Sequence, residues 1–449
     1  MRQSNLIHPT YAENFHCIGS SCEDTCCQGW NVPIDQATYE KYQNVPASPL
    51  RTLLDESVLR MPKDATGAVK DESAKTYVFA QIRMDSSNQC PMLTGDRLCR
   101  IQAEQGEALL SHACAVYPRI VHSVGGNEEK ALTLSCPEAA RLVLLNPDLL
   151  AEAAQPGIGV AGNETAHGAD SRPIDYWAIR KSVLALVRNR NYPLWQRMFL
   201  LGVFCRRLDA IVNGKLERTI PEFLIDFEAT VAGGAMRATM EALPLDRAAQ
   251  LDIVLRMAGL MLHRSNVRPR FVECVNAFTA GIGNGPGATL ESLTAHYSLA
   301  HDRYFEPYFR RHPHILENYL INTIIRLQFP FGKEGMQPGA QPRMVREYAM
   351  LTAQFALTKG LLIGVAGFHR EAFSAANVVH TVQAAAKHFE HHPEFLNMAY
   401  GLLIESEMDG ARGLAILLRN TKPAVPRPTT PAIHAPEPHV SEPRVGTAV

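Results

Sequence analysis

The stretch that decides the fold of the first third of the chain is a run of closely spaced cysteines, Cys17-Ile-Gly-Ser-Ser-Cys22-Glu-Asp-Thr-Cys26-Cys27-Gln-Gly-Trp30. Four more cysteines follow at wider spacing, at positions Cys90, Cys99, Cys114 and Cys136. Only two of the ten cysteines, Cys205 and Cys274, lie beyond that region. Because eight thiols gather in one third of the sequence, we expect them to serve a common chemistry.

Two chemistries gather thiols in this way: a disulfide framework, and a metal or iron–sulfur site. Disulfide frameworks are typical of small secreted domains. This chain has 449 residues and can bury a large core without covalent staples. Its first fifteen residues contain no apolar run of the length that a signal peptide needs. We therefore predict a cytoplasmic protein whose reduced thiols bind a metal or a cluster, with disulfides and inert buried thiols as the alternatives.

The spacing of the cysteines does not identify which metal ion or cluster they would bind. It reads Cys-x4-Cys-x3-Cys-Cys and then Cys-x8-Cys-x14-Cys-x21-Cys, without the paired CxxC units of zinc fingers and ribbons. The CxxxCxxC loop of radical enzymes that cleave S-adenosylmethionine is also missing, since its third cysteine would fall on Gly29. The simplest arrangement is one four-thiolate site plus spare thiols. The candidate ligands are Cys17, Cys22, Cys26, Cys27, Cys90, Cys99, Cys114 and Cys136.

A nucleophilic cysteine is a rival interpretation of the same residues. It would need a thiol of low pKa beside a histidine, and His16, His112 and His122 lie near cysteines in the sequence. None of these histidines has the sequence context of a known protease or transferase, so we prefer the metal-site interpretation.

Charge and hydropathy exclude two broad classes of protein. The formal net charge is −1 and the pI is about 7.0, so the chain lacks the basic surface of a general nucleic-acid binder. The most apolar stretch, 348–368, contains Lys359 and several glycines. A lysine is costly at the centre of a bilayer, so this stretch predicts a buried helix, not a membrane span.

Periodicity predicts a mainly α protein with a small, irregular α+β cysteine-rich domain followed by a larger all-helical domain. The predicted divisions are a cluster-binding domain at 1–150, a linker at 151–173, a helical domain at 174–420 and a disordered proline-rich tail at 421–449. In the first domain we predict strands at 32–34 and 77–84, helices after Asp35 and Cys136, another helix over 101–113, and a hairpin that turns at 125–127. The predicted helices of the second domain are 174–190, 193–212, 220–232, 245–264, 267–280, 289–311, 313–328, 342–363, 371–390 and 393–406.

Two features of the helical half could be functional or merely structural. The helix at 313–328 has an apolar face and a polar one that carries Glu317, Asn318, Asn322 and Arg326. That polar face is either solvated or lines a cleft. The glycine-rich stretch 281–287 follows a helix, whereas a dinucleotide-binding loop follows a strand, so we predict a helix connector there.

Several motifs, taken together, resemble those of the flagellin lysine-N-methylase (FliB) family over residues 11 to about 405. The N-terminal matches are Tyr11, Phe15, Cys17, Cys22-Glu-Asp, Cys26-Cys27, Trp30, Asp35, Tyr39, Tyr42, Cys90-Pro, Cys99, Cys114, Tyr117-Pro-Arg119 and Ser135-Cys-Pro-Glu-Ala-Ala-Arg141. The C-terminal matches are looser, and comprise Glu317-Asn-Tyr-Leu-x-Asn322 and Phe329-Pro-Phe331. Residues 90–118 are also similar to small zinc- or iron-chelating domains of the YkgJ type.

The resemblance implies a cytoplasmic enzyme that methylates lysine ε-amino groups of flagellin with S-adenosylmethionine and carries a [4Fe–4S] cluster on its cysteines. A general base must lie within hydrogen-bond reach of the substrate amine, and Glu317, Tyr319 and Asp35 are our candidates. The alternatives are an iron- or zinc-binding module without catalysis, and a helical scaffold in which a cluster only staples the N-terminal domain.

Overall fold

The computed structural model describes residues 10–30, 32–61, 78–150, 164–166, 176–262, 267–337, 339–390, 392 and 394–421. The predicted linker, apart from a short strand at 164–166, and the predicted tail, apart from Thr421, lie outside the described residues. The division into domains at these boundaries stays a prediction.

A three-stranded antiparallel sheet begins the N-terminal part. Its strands are β1 (Val32–Ile34), β2 (Val58–Arg60) and β3 (Ala80–Ile82), and β3 lies in the centre. Helices α1 (Gln36–Gln43) and α2 (Pro49–Ser57) connect β1 to β2. The predicted N-cap of α1 is confirmed, because the Asp35 carboxylate accepts a hydrogen bond of 2.8 Å from the Thr38 backbone nitrogen.

The predicted helix over 101–113 is broken into short pieces. Helix α3 (Arg100–Gln105) stops at Gly106, whose φ of +80° and ψ of 177° suit only glycine. A 3-10 turn (Glu107–Leu109) follows, and helix α4 (His112–Val116) begins after Ser111, whose hydroxyl caps it. The sequence pattern missed this break because one glycine seldom ends an apolar periodicity by itself.

The predicted hairpin is confirmed. Strands β4 (Arg119–Val124) and β5 (Asn127–Leu132) pair antiparallel, and β6 (Glu164–Ala166) adds to β4 in parallel. Gly125 and Gly126 form the turn with φ values of +57° and +79°, as a two-residue turn of the primed type requires. Helix α5 (Pro137–Leu144) carries its proline in the first turn, as expected.

The remaining chain is helical, as predicted. Its helices are α6 (Tyr176–Arg188), α7 (Leu194–Val212), α8 (Ile220–Ala232), α9 (Arg237–Glu241), α10 (Arg247–Leu262), α11 (Pro269–Gly281), α12 (Leu290–Ala300), α13 (Glu306–Arg311), α14 (His314–Arg326), α15 (Gly332–Gly335), α16 (Met344–His369), α17 (Ala375–Phe389), α18 (Phe395–Glu405) and α19 (Ala411–Leu418). A π-helical turn (His301–Phe305) joins α12 to α13 within the single helix predicted at 289–311. Helices α9, α15 and α19 lie outside the predicted ranges.

Helix α16 forms the centre of the helical body. It packs against α7, α10, α11, α12, α17, α18 and α19, and nearly all of its residues from Met344 to Ala366 are buried. Within the described part of the chain it is the one helix that is long and apolar enough to cross a membrane, yet that apolar stretch is entirely inside the protein. The fold is therefore mainly α, with a small α+β N-terminal part, as the sequence predicts.

Apolar side chains form two separate clusters. The smaller cluster lies under the sheet β1–β3 and includes Cys90, with Cys27, Cys99 and Cys114 packed against it. The larger cluster contains the helical core together with Tyr11, Phe15 and residues of β5 and α5. The hairpin and α5 therefore share a core with the helices, which fixes the cysteine-rich part against the helical body.

Candidate functional site

The residues around the first cysteines, 17–30, form a loop that we call the thiol loop. It pairs with the segment 88–90: the Gly29 nitrogen donates to the Asn88 oxygen and the Cys90 nitrogen donates to the Cys27 oxygen, both at 2.9 Å. The Trp30 indole closes the loop by donating to the Cys26 carbonyl at 2.6 Å. Backbone pairing thus brings thiols together that are more than sixty positions apart in the sequence.

Five thiols from four segments act on one another electrostatically, and we call them the inner thiols: Cys26, Cys27, Cys90, Cys99 and Cys114. Burial raises the pKa of Cys90 to about 11 and that of Cys114 to about 12, and neighbouring thiolate charges add to both shifts. The Cys26 and Cys27 sulfurs lie 3.9 Å apart. Adjacent cysteines usually point in different directions, but these two sulfurs are close to each other.

The Cys26 thiol differs from its inner neighbours. A hydrogen bond from Cys27 and the charge of Lys387 lower the pKa of Cys26 to about 7, although burial opposes this shift. Bonding to Cys26 and burial raise the pKa of Cys27. The Lys387 charge therefore favours the thiolate form of Cys26, and thiolates are the form that binds metals.

The other three predicted ligands differ in their exposure. Cys17 is exposed, Cys22 is half-buried and Cys136 is buried at the start of α5. Burial raises the pKa of Cys136 to about 12, and the charges of Cys22 and Cys26 contribute. The charge of Cys26 therefore acts on Cys136 as well as on the inner thiols.

The donor chemistry of the inner thiols can be compared with what a single ion and an iron–sulfur cluster require. Across the described residues, no three side chains of His, Cys, Asp or Glu converge on a point where one ion could be held. Each cysteine of a [4Fe–4S] cluster binds a different iron, so its four thiols need not converge on one point. The donor chemistry, five neighbouring thiols that are free of disulfides, fits such a group.

Side chains near the end of α17 bind the thiol loop to the helical body. The Lys387 ammonium donates to the Asp24 carboxylate at 2.7 Å and to the Thr25 carbonyl at 2.6 Å. The Gln383 amide donates to the same carboxylate at 2.7 Å. Burial alone would raise the pKa of Asp24, but the Lys387 charge and these hydrogen bonds lower it. The loop is thus fixed by a buried ion pair next to Cys26.

A second cation of the helical body binds the other end of the loop. The Arg268 guanidinium donates to the Gln28 carbonyl at 2.8 Å and to the Gly29 carbonyl at 2.7 Å. Gly29 has a φ of +74°, and a Cβ atom there would collide with this guanidinium. Sequence reasoning missed Arg268 and Lys387. A usable signal was the position of Lys387 among the apolar residues of α17, since a charge there needs a buried partner.

The predicted catalytic residue Glu317 lies in a buried ion-pair cluster on α14. Its carboxylate accepts hydrogen bonds from Arg197 at 2.6 Å and from Arg190 at 2.9 Å, and only 4% of the residue is exposed. Tyr319 is also buried, and its hydroxyl lies 3.0 Å from the Thr358 hydroxyl and accepts a hydrogen bond of 3.0 Å from the Gln354 amide nitrogen. Burial raises the pKa of Tyr319 to about 12.

The third predicted catalytic residue, Asp35, lies elsewhere, at the start of α1. Both of its carboxylate oxygens accept hydrogen bonds from Thr38, one from the backbone and one from the hydroxyl. The structure therefore does not bring Asp35, Glu317 and Tyr319 together, and each is engaged by other parts of the protein. Their catalytic roles stay predictions.

The polar face of α14 is buried against other segments, so the interpretation that it is solvated was wrong. The interpretation that it lines a cleft stays a prediction. Asn322 donates to the Leu132 carbonyl at 2.8 Å and accepts from the Leu132 nitrogen at 3.1 Å. Asn318 donates to the carbonyls of Val143 and Asn146, and Arg326 pairs with Glu390 at 3.2 Å. This face joins the helical body to β5 and α5, where backbone groups need partners.

The fold and the site define a mainly helical protein that holds a thiol-rich N-terminal part against its body. The sequence model of the FliB lysine N-methylase C-terminal domain matches residues 180–417. The chain therefore belongs to the FliB lysine N-methylase family, and it is a lysine N-methyltransferase.

Curated relatives extend the match to the cysteine-rich part. Two proteins named Lysine-N-methylase, from Salmonella typhimurium and Salmonella choleraesuis, are each 24% identical over 405 residues, which cover 86% of this chain and 93% of theirs. The Flagellar biosynthetic protein FliU of Salmonella muenchen is 31% identical over 152 residues, which cover 34% of this chain and 83% of its own length. No solved structure matches the chain.

Proposed function

We propose that this protein is a cytoplasmic enzyme that transfers the methyl group of S-adenosylmethionine to lysine ε-amino groups of flagellin. The observation that carries the proposal is the match to lysine methylases over 86% of the chain, which includes the thiol-rich part as well as the helical body. The name of the FliU relative connects this family to flagella and supports flagellin as the substrate.

The transfer requires a neutral amine. The lysine nitrogen forms a bond to the methyl carbon while the bond from that carbon to the sulfonium sulfur breaks, which releases S-adenosylhomocysteine. Before this attack the substrate ammonium loses a proton to a base or to solvent, because a protonated ammonium has no lone pair with which to attack. The methylated nitrogen leaves the reaction as an ammonium. Glu317, Tyr319 and Asp35 remain our candidates for that base, although the first is already paired with two arginines.

We further propose that the inner thiols hold a [4Fe–4S] cluster. Four of the five would bind it, and Arg268 and Lys387 would keep their loop in place. When bound, the cluster would supply a redox-active centre and would cross-link the chain segments that carry its cysteines. The contacts between α17 and the loop support a role in fixing the N-terminal part to the helical body, as the scaffold interpretation requires.

The experiment that tests the proposed function uses the full chain purified without oxygen. Flagellin incubated with the enzyme and S-adenosylmethionine should gain mass in methyl increments on lysines, with release of S-adenosylhomocysteine. Iron and sulfide in near-equal amounts, with a broad absorption band near ~400 nm, would support the cluster. Zinc without a chromophore, together with unmodified flagellin, would favour a non-catalytic metal-binding module.

A further inference from the structure

A tyrosine in the last turn of α1, Tyr42, is buried in the same apolar cluster as several of the inner thiols. Only 1% of it is exposed. Cys90 belongs to that cluster, and Cys99 and Cys114 pack against it. The Tyr42 carbonyl accepts a hydrogen bond of 3.3 Å from the Val45 nitrogen, which closes the end of the helix. The ring is therefore held in the interior beside the thiols by both its packing and its backbone.

The hydroxyl of this tyrosine has no hydrogen-bond partner among the residues that the structure describes, although the oxygen itself is buried. Buried hydroxyl groups in native proteins are nearly always bonded to the chain, to ordered water or to a bound ion. A buried tyrosine in particular usually finds a partner for its O–H. The Tyr42 hydroxyl is thus a donor that the chain places next to the inner thiols and does not itself use.

The negative charges that act on this hydroxyl come mainly from thiols. Burial raises the pKa of Tyr42. The charges of Cys114, Cys99 and Cys90, in that order, add to this shift, and Asp35 contributes least. Both carboxylate oxygens of Asp35 already accept hydrogen bonds at the start of α1. The hydroxyl therefore keeps its proton, and the groups that attract this proton are sulfurs.

The same three thiols already receive hydrogen bonds from the chain. Burial raises the pKa of Cys90, Cys99 and Cys114, and hydrogen bonds oppose this shift in each case. They come from backbone groups at the first two thiols and from the Ser111 side chain at the third. Hydrogen bonds to the sulfurs are one of the factors that set the reduction potential of an iron–sulfur cluster. Tyr42 would add one more donor to this set.

We propose that the Tyr42 hydroxyl donates a hydrogen bond to a sulfur of the [4Fe–4S] cluster or of its cysteine ligands, an inference that rests on the proposed function of the inner thiols. Reduction adds one electron and makes the cluster more negative. A donated hydrogen bond is stronger to a more negative acceptor, so it stabilises the reduced form more than the oxidised form. Tyr42 therefore raises the reduction potential of the cluster without binding iron.

The test is a reductive titration of the full chain, purified without oxygen and carrying its cluster, against dyes of known potential. Tyr42→Phe removes the hydroxyl and keeps the ring, so iron and sulfide contents should not change. At a fixed solution potential the ratio of reduced to oxidised cluster should fall about tenfold, which for a one-electron couple is a shift of ~59 mV to lower potential.

Tyr39→Phe is the matched control, because it removes a hydroxyl from the same helix. Tyr39 is half-buried, and its ring packs edge-to-face on Phe79 with the centroids 5.2 Å apart. This variant should keep both the iron content and the reduction potential of the unchanged protein.

The outcomes separate the role of Tyr42 from the existence of the cluster. An unchanged potential in Tyr42→Phe at full iron content would overturn the inference and assign the hydroxyl to water. Equal shifts in both variants would also overturn it, as would loss of iron from Tyr42→Phe alone, which would show a packing role. In these cases the cluster proposal stands. Absence of iron and sulfide from the unchanged protein would reject the cluster and this inference together.

Discussion

At the scale of single residues, the contact between Lys387 and Asp24 shows how the helical body controls the thiol loop. The two side chains are 8% and 12% exposed and lie 2.7 Å apart. Local sequence could not predict that Lys387 and Asp24 are partners, because the two residues are 363 positions apart. Sequence could place a charge on the buried face of α17, but it could not name the carboxylate that the charge meets.

We predict that Lys387→Met destabilises the protein and frees the thiol loop. Removal of one member of a buried ion pair leaves the other charge uncompensated, at a cost of ~3–5 kcal/mol in the free energy of unfolding. Urea denaturation measures this loss. Loss of the Lys387 charge also raises the pKa of Cys26, so the rate at which iodoacetamide alkylates Cys26 and Cys27 in metal-free, reduced protein is compared per thiolate, from its pH dependence. This rate should rise at the same time.

Two further variants sharpen this experiment. Lys387→Arg keeps the charge and should restore slow alkylation, whereas Lys215→Met changes an exposed lysine and should alter neither measurement. Equal alkylation rates in Lys387→Met and in the unchanged protein would show that the ion pair does not restrain the loop.

At the scale of elements, α11 and α16 cross at a point where each helix carries a glycine, Gly281 and Gly364. A Cβ atom on Gly281 would collide with the Gly364 carbonyl, and one on Gly364 would collide with the Phe278 ring. The sequence suggested a connector at 281–287, which is confirmed by the end of α11 at Gly281 and the start of α12 at Leu290. It did not show that Gly281 is also a packing residue, because that depends on a helix more than eighty positions away.

We predict that Gly281→Ala lowers the free energy of unfolding by ~1–3 kcal/mol, the usual cost of overpacking. Thermal or urea denaturation checks this value. Gly401→Ala in α18 is the control, since nothing lies within 4 Å of a Cβ atom placed there; alanine also favours a helix, so its stability should stay or rise. If both substitutions had the same effect, close packing at the crossing would not be the cause.

At the scale of the whole molecule, the C-terminal helix α19 completes the core of the helical body. The buried Lys359 ammonium donates to the Leu417 carbonyl and to the Asn420 side chain, both at 2.7 Å. Burial lowers the pKa of Lys359 to about 7. The charged form of Lys359 is therefore stabilised by these acceptors at the end of α19.

We predict that removal of residues 422–449 leaves the melting temperature and flagellin methylation unchanged. Removal of residues 410–449 should instead lower the melting temperature strongly, since it takes away α19 and leaves Lys359 without its acceptors. Loss of activity in the shorter truncation, with the melting temperature preserved, would contradict our prediction that the tail is dispensable.

The class of fold, most helices of the body, the hairpin at Gly125 and Gly126, and the family could all be predicted from the amino-acid sequence. These features follow from local periodicity, turn chemistry and residue spacing, all of which can be read within a short window. Only the tertiary structure decided that the polar face of α14 joins two parts of the protein, which thiols neighbour one another, and where Arg268 and Lys387 act. Those facts depend on contacts between segments far apart in the chain, because burial and charge pairing are settled only when the segments pack.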